Sequence, residues 1–300
     1  MKGTYVEMEN NISGSKNSSS NLKSRKLLSK VFEGFFFLAI AFGILMLVLL
    51  LTNVLKAGLG WLSLDFITSL PSRFPKKAGI YSALIGSIWV MGLTFLFSFP
   101  LGVGTAIYLE EYSDKKKWFN KMLQINIANL AGVPSIVYGI LGLAVFVRLL
   151  AFERSILSGA LTLALLILPV IIVSSQEALK AVPNELRHGS YALGVSKWLT
   201  ITGVVLPYAM PGILTGTILA MSRAMGEAAP LIIVGAAGYI AFLPKSIMDS
   251  FTVLPIQIFN WTSRPQDEFQ NIAAAGIIVL IALLLTANAT AIFLRNKYEK

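Results

Sequence analysis

Six stretches of this chain run for more than twenty residues without a charged side chain. They are Gly34–Leu55, Ala78–Leu109, Met122–Val147, Ser155–Gln176, Trp198–Ser222 continuing as Ala228–Pro244, and Phe269–Leu294. About 20 apolar residues in a helix cross the hydrocarbon of a bilayer, so the runs predict an all-α, polytopic membrane protein with about six transmembrane helices. Ala78–Leu109 exceeds the need of an upright helix and is expected to tilt or extend into the interface. Hydrophobic residues make up 55% of the chain and charged ones 13%, about half the charge of a soluble domain.

The formal charge of +10 reflects membrane orientation and does not point to nucleic acid. With the amino terminus inside, sixteen Lys and Arg fall on the cytoplasmic side, among them Lys115–Lys117, Lys180, Arg187 and Arg295, and eight fall outside. That bias follows the positive-inside rule and places both termini in the cytoplasm. The absence of cysteine excludes disulfides and thiolate metal sites. The first apolar run is too long for a cleaved signal peptide and reads as an uncleaved anchor.

Residues 1–22, rich in Ser, Asn, Lys and Gly without an apolar period, are expected to form a disordered cytoplasmic tail. Residues 23–300 would then form the transmembrane domain. Gly86, Gly92, Gly102 and Gly104 in the second run suit close helix packing. Gly132-Val133-Pro134-Ser135 in the third predicts a kink, which either lines a path or serves packing.

Between the fourth and fifth spans lies a polar loop, residues 177–207, far longer than a turn requires. Pro183 suits the first turn of a helix, Gly194 its stop, and Ser196 the cap of a second helix from Lys197. Leu186, Ser190 and Leu193 share one face of the first helix with Gly189 beside it, a notch able to seat another protein. A helix lying on the membrane surface is the competing reading, and it would need more bulk on that face. The fifth span is broken by Pro207, Pro211, Gly226 and Pro230, and it holds Arg223 and Glu227 four residues apart. Each charge at mid-membrane costs about 2.5–3.5 kcal/mol, so the pair is expected to face a path or to neutralise itself.

No glycine here is followed by lysine, so the phosphate-cradling GxxxxGK[ST] loop is absent and any ATP must be bound by a partner. The single histidine, His188, lies in the polar loop, which leaves zinc-protease and Ser–His chemistry without their parts. The chain therefore reads as a non-enzymatic subunit with no cofactor of its own.

At the polar loop the sequence resembles the permease subunits of ABC importers, whose signature is EAA, three residues, Gly, nine residues, then I-x-LP. Here the pattern falls on His188-Gly189-Ser190, then Gly194, then Val204-Val205-Leu206-Pro207; His, Gly and Ser replace the three signature residues. The RAMGEAAP run at Arg223–Pro230, with FPLGVGTAIYLEEY at Phe99–Tyr112 and PSIVYGILGLAVFV at Pro134–Val147, resembles phosphate-specific importer permeases of the PstA type over residues 80–295. The resemblance implies a type I importer fold with a cytoplasmic coupling helix. Leu186, His188, Gly189, Ser190, Leu193 and Gly194 would contact an ATPase, and Arg223 and Glu227 would line the translocation path.

The resemblance further implies a second homologous permease forming a heterodimer, a dimer of ATP-binding subunits using ATP and Mg, and an extracytoplasmic phosphate-binding protein. All would sit at the inner membrane of a prokaryote. A permease for another oxyanion, sulfate or molybdate, is the alternative within the superfamily. A membrane enzyme acting on phospho-substrates is the alternative outside it.

Overall fold

The computed structural model describes residues 3–298 except 115 and 237, with side chains described for residue 22 and from 25 to 297. Every regular element among them is helical. In order these are α1 (Gly3–Gly58), α2 (Leu64–Thr68), α3 (Tyr81–Ile107), α4 (Trp118–Leu130), α5 (Ser135–Gly142), α6 (Ile156–Lys180), α7 (Asn184–Ala192), α8 (Lys197–Thr200), α9 (Leu206–Met225), α10 (Ala229–Val234), α11 (Leu254–Thr262) and α12 (Asp267–Tyr298). Three π-helical segments, Tyr108–Tyr112, Leu143–Leu149 and Ile201–Val205, continue α3, α5 and α8.

Among the described residues five helices are long and apolar enough to cross a membrane, and α4 with α5 supplies a sixth candidate bent by 105°. The third apolar run is therefore not one straight span. Pro134 has no N–H to give the ladder and pushes Val133 out of helical geometry, so α4 ends before it. Tyr138 donates its hydroxyl to the carbonyl of Leu130 at 2.8 Å, satisfying a backbone acceptor near the end of α4.

The chain divides into two compact units, Met1–Lys56 and Ala57–Lys300. Among the described residues the first holds α1 as far as Lys56, with most of its large apolar side chains exposed, as at Phe37 and Leu38; such a helix suits lipid. It begins at Gly3 and runs without a break into the apolar run. Once that run has nucleated a helix, further residues extend it without a second nucleation cost.

In the second unit α6 is the centre, packed against α3 and α9. Ile156, Leu163, Ile167, Ile171 and Leu179 are fully buried along it. Lipid tails are as apolar as leucine, so contact distance holds such helices together more than water exclusion does. Gly102 of α3 supplies that closeness: a Cβ there would sit 2.6 Å from Ile171 Cγ2. Gly212 of α9 likewise lies where a Cβ would come 2.8 Å from that of Ala178.

Both ends of α6 are tied. At its start the amides of Ile156 and Leu157 donate to the carbonyls of Asp249 (3.1 Å) and Ile247 (2.9 Å). Asp249 Oδ2 in turn accepts from the amides of Lys245 (2.7 Å) and Ser246 (2.9 Å). A second core of Phe66, Ile80, Leu254, Trp261, Phe269 and Ile272 joins the short helices to α12.

Candidate functional site

The polar loop folds as a helical hairpin. Pro183 stands at the N-cap of α7, one place before the first turn, and α7 closes at Leu193. Gly194 then turns the chain with φ +76°, a left-handed conformation that glycine adopts without Cβ strain. The side chain of Ser196 accepts from the amide of Leu199 and starts α8. Each stop and start predicted from local residue chemistry is present.

The predicted face of α7 is only partly assembled. Leu186, Gly189 and Leu193 are exposed, Leu193 at 84%, and a Cβ on Gly189 would meet nothing within 4 Å. Ser190 is buried, its Oγ 2.8 Å from Thr200 Oγ1. It turns inward and holds α7 to α8, so it does not belong to an outward notch. His188 is exposed and, two residues from Leu186, points about 200° around the helix from it. Gly194, also exposed, sets the corner.

Sequence reasoning missed the residues that anchor this hairpin. Arg187 donates through Nη2 to Glu111 Oε1 at 2.8 Å and to the carbonyl of Leu179 at 2.9 Å, and through Nη1 to the carbonyl of Val182 at 2.6 Å. The Arg187 and Glu111 side chains are only 14% and 8% exposed, and leaving one alone in such a place is costly. Next along the chain, the Tyr112 ring carries the Lys197 ammonium 4.7 Å from its centroid. A run of acidic residues ending one span and an arginine in the loop was the signal available, but nothing local pairs them.

Arg223 lies in the last turn of α9, and Glu227 lies beyond the helix end. The amides of Gly226 and Glu227 donate to the carbonyls of Arg223 and Ala224 at 3.1 and 3.2 Å, a tightened final turn that brings the carboxylate back toward the guanidinium. Arg223 Nε lies 3.6 Å from Glu227 Oε1. The pair is thus formed across a helix terminus, where the helix dipole favours the cation. Arg223 is half exposed and Glu227 mostly buried, beside Ser87, Val90 and Met91 of α3 and Leu231 of α10. Glu227 is the one ion-pair partner of Arg223 among the described residues, met through Nε and not through the two terminal nitrogens. Gly139 lets α5 approach this break closely: a Cβ there would lie 2.8 Å from Pro230 Cα.

A separate cavity of about 390 Å³ opens between α3, α9 and α12, lined by Met91, Phe95, Met221, Met225 and Leu284. Its main polar feature is the Ser222–Asn288 hydrogen bond, 2.8 Å. A multiply charged anion loses far too much hydration to enter so apolar a space. The Arg223 break is therefore the better candidate for handling an oxyanion. Among the described residues no cluster of three or more His, Cys, Asp or Glu could hold a metal.

The fold is that of the transmembrane subunits of ABC importers. It matches a chain of the bacterial alginate ABC transporter, solved with an alginate pentasaccharide-bound periplasmic protein, with a TM-score of 0.64 at 15% identity, over 87% of this chain and 92% of that one. It also matches a chain of the inward-facing MetNI methionine ABC transporter, with a TM-score of 0.54 at 16% identity, over 72% and 94%.

The model of the binding-protein-dependent transport system inner membrane components matches residues 98–297, and the chain belongs to that family. It is 34% identical to the phosphate transport system permease protein PstA 1 of Mycobacterium tuberculosis over 90% of each chain. It is 33% identical to the probable ABC transporter permease protein YqgI of Bacillus subtilis, over 92% of this chain and 98% of that one. The PstA protein of Haemophilus influenzae is 31% identical, over 91% and 96%. The chain is a multi-pass membrane transporter subunit.

Proposed function

We propose that this chain is the permease subunit of an ATP-driven importer of inorganic phosphate, with Arg223 and Glu227 on the translocation path. The observation that carries the reading is the half-exposed guanidinium held by one carboxylate at a broken helix. In a low-dielectric site such donors are strong, and the pairing with Glu227 keeps the empty path from carrying an unbalanced charge. Relatives named as phosphate permeases, matched along nine-tenths of their length, support the choice of anion.

The chain binds no nucleotide in this account. A dimer of ATP-binding subunits, using ATP and Mg, docks on the exposed Leu186, Gly189 and Leu193 surface of α7, next to His188 and the Gly194 corner. A second homologous permease completes a heterodimer, and a phosphate-binding protein delivers solute from outside. The protein sits in the inner membrane of a prokaryote with both termini in the cytoplasm, as the distribution of Lys and Arg favours.

Replacing Arg223 with Ala removes charge-assisted donors and is expected to lower phosphate uptake about 10- to 100-fold, while the subunits still co-purify. Arg223→Lys keeps charge without the planar fork and should fall between. Uptake at the wild-type rate in Arg223→Ala, measured with radiolabelled phosphate against sulfate and molybdate competitors, removes the assignment.

The docking surface has its own test. A Cβ at Gly189 meets nothing within 4 Å among the described residues, so Gly189→Trp is expected to fold, and its defect reports the partner contact. Hydrolysis by the assembled complex should then proceed without matching transport. Full coupling in that variant displaces the docking surface from α7.

A further inference from the structure

Two consecutive residues at the end of α3 grip both arms of the α7–α8 hairpin. Glu111 holds Arg187 of α7 at 2.8 Å, and Tyr112 holds Lys197, the first residue of α8, over its ring at 4.7 Å. Both belong to the π-helical segment Tyr108–Tyr112, which extends α3 without a break. Extra residues of this kind inside a helix recur at functional positions. Here the wider turn sets two neighbouring side chains toward two different helices.

The other part of α3 reaches the candidate path. Ser87, Val90 and Met91 line the cleft beside Glu227, and the twenty residues from Met91 to Glu111 amount to about 30 Å of helix. Along that length α3 is held against α6 by the close approach of Gly102 to Ile171 and by the Thr94 hydroxyl donating to the Ala160 carbonyl at 3.2 Å.

We propose that Glu111 and Tyr112 are positioning residues that clamp the hairpin to α3, and that α3 conveys displacement of the hairpin to the Glu227 cleft. The proposal rests on the reading of α7 as the surface where the ATPase docks. Arg187 is the joint: it fixes α7 to α3 through Glu111 and to the end of α6 through the Leu179 and Val182 carbonyls. A push on α7 therefore cannot be absorbed by the loop alone. It reaches two packed helices at once.

The test uses the purified importer, with its ATPase and binding protein, reconstituted in proteoliposomes. Glu111→Gln keeps the size of the side chain and removes its charge. Hydrolysis is expected to continue while phosphate moved per ATP falls about tenfold, within the usual range of coupling energies. Arg187→Ala should do the same, and the double variant should be no worse than the worse single one. Tyr112→Leu, which removes the ring face at an exposed position, should give a smaller loss of the same kind.

Unchanged phosphate per ATP in Glu111→Gln overturns the proposal. So does a parallel fall of hydrolysis and transport, or loss of the ATPase subunit on purification of both Glu111→Gln and Tyr112→Leu; either would make the clamp only a support for the seat. Gly189→Trp separates the two readings. If it uncouples while Glu111→Gln does not, docking on α7 stands and the clamp falls. If Gly189→Trp transports normally, the docking surface falls by itself.

Discussion

Asp249 shows how much one partly exposed carboxylate can organise. The amides of Lys245 and Ser246 donate to it and hold its carboxyl below the ordinary carboxylate range. The loop so fixed offers the carbonyls of Ile247 and Asp249 to the first amides of α6. Because the folded value is depressed, the stabilisation is complete above the unfolded pKa, about 3.9, and fades as pH falls through the lower folded one. Asp249→Ala should reduce hydrogen-exchange protection of Ile156 and Leu157 at neutral pH and abolish its loss in acid. Asp249→Asn, which keeps an acceptor oxygen, should retain part of it. Protection unchanged in Asp249→Ala would mean the loop holds without the carboxylate.

Single residues were legible where their effect is local. Gly194 and Ser196 act within three or four positions of themselves, so their chemistry can be read along the chain. Pro183 stands at the N-cap, one position before the first turn where proline is most favoured, and helix ends vary by a residue or two. Ser190 and Arg187 answer to partners ten and seventy-six residues away, and no helical period carries that information.

Among the elements, the α7–α8 hairpin is the most exposed to test. Gly194 has open space around it but a left-handed φ, so the cost of Gly194→Ala is backbone strain alone, about 1–2 kcal/mol. The melting temperature of the purified chain should drop, and Gly194→Asn should drop it less. Equal melting in all three would show that the corner bears no strain.

The break between α4 and α5 marks what a proline can and cannot announce. Pro134 predicts an interruption; the 105° angle comes from where Tyr138 and Gly139 find their partners, on Leu130 and beside Pro230. The Arg223–Glu227 spacing was likewise visible, and so was the interruption at Gly226 and Pro230. What the spacing does not carry is the tightened final turn that brings the carboxylate back toward the guanidinium.

For the whole molecule, hydropathy identified the membrane class because every span carries its own signal in a continuous run. It overstated the regularity of the third span, and it was silent on α6 as the centre, since a buried apolar helix and a lipid-facing one have the same composition. The sequence holds no cysteine, which makes orientation directly measurable with single introduced thiols. Gly189→Cys should react with an impermeant reagent only from the cytoplasmic side and Lys245→Cys only from outside; labelling of both from one side reverses or breaks the proposed topology.

The central helix, with its leading amides bonded to the 247–249 loop and the Leu179 carbonyl near its far tip bonded to Arg187, is a shaft seated in a bearing at each extremity. Such mounting resists sliding along the axis more than it resists roll or tilt, so rearrangement of the neighbouring helices is expected to take the form of rotation about α6.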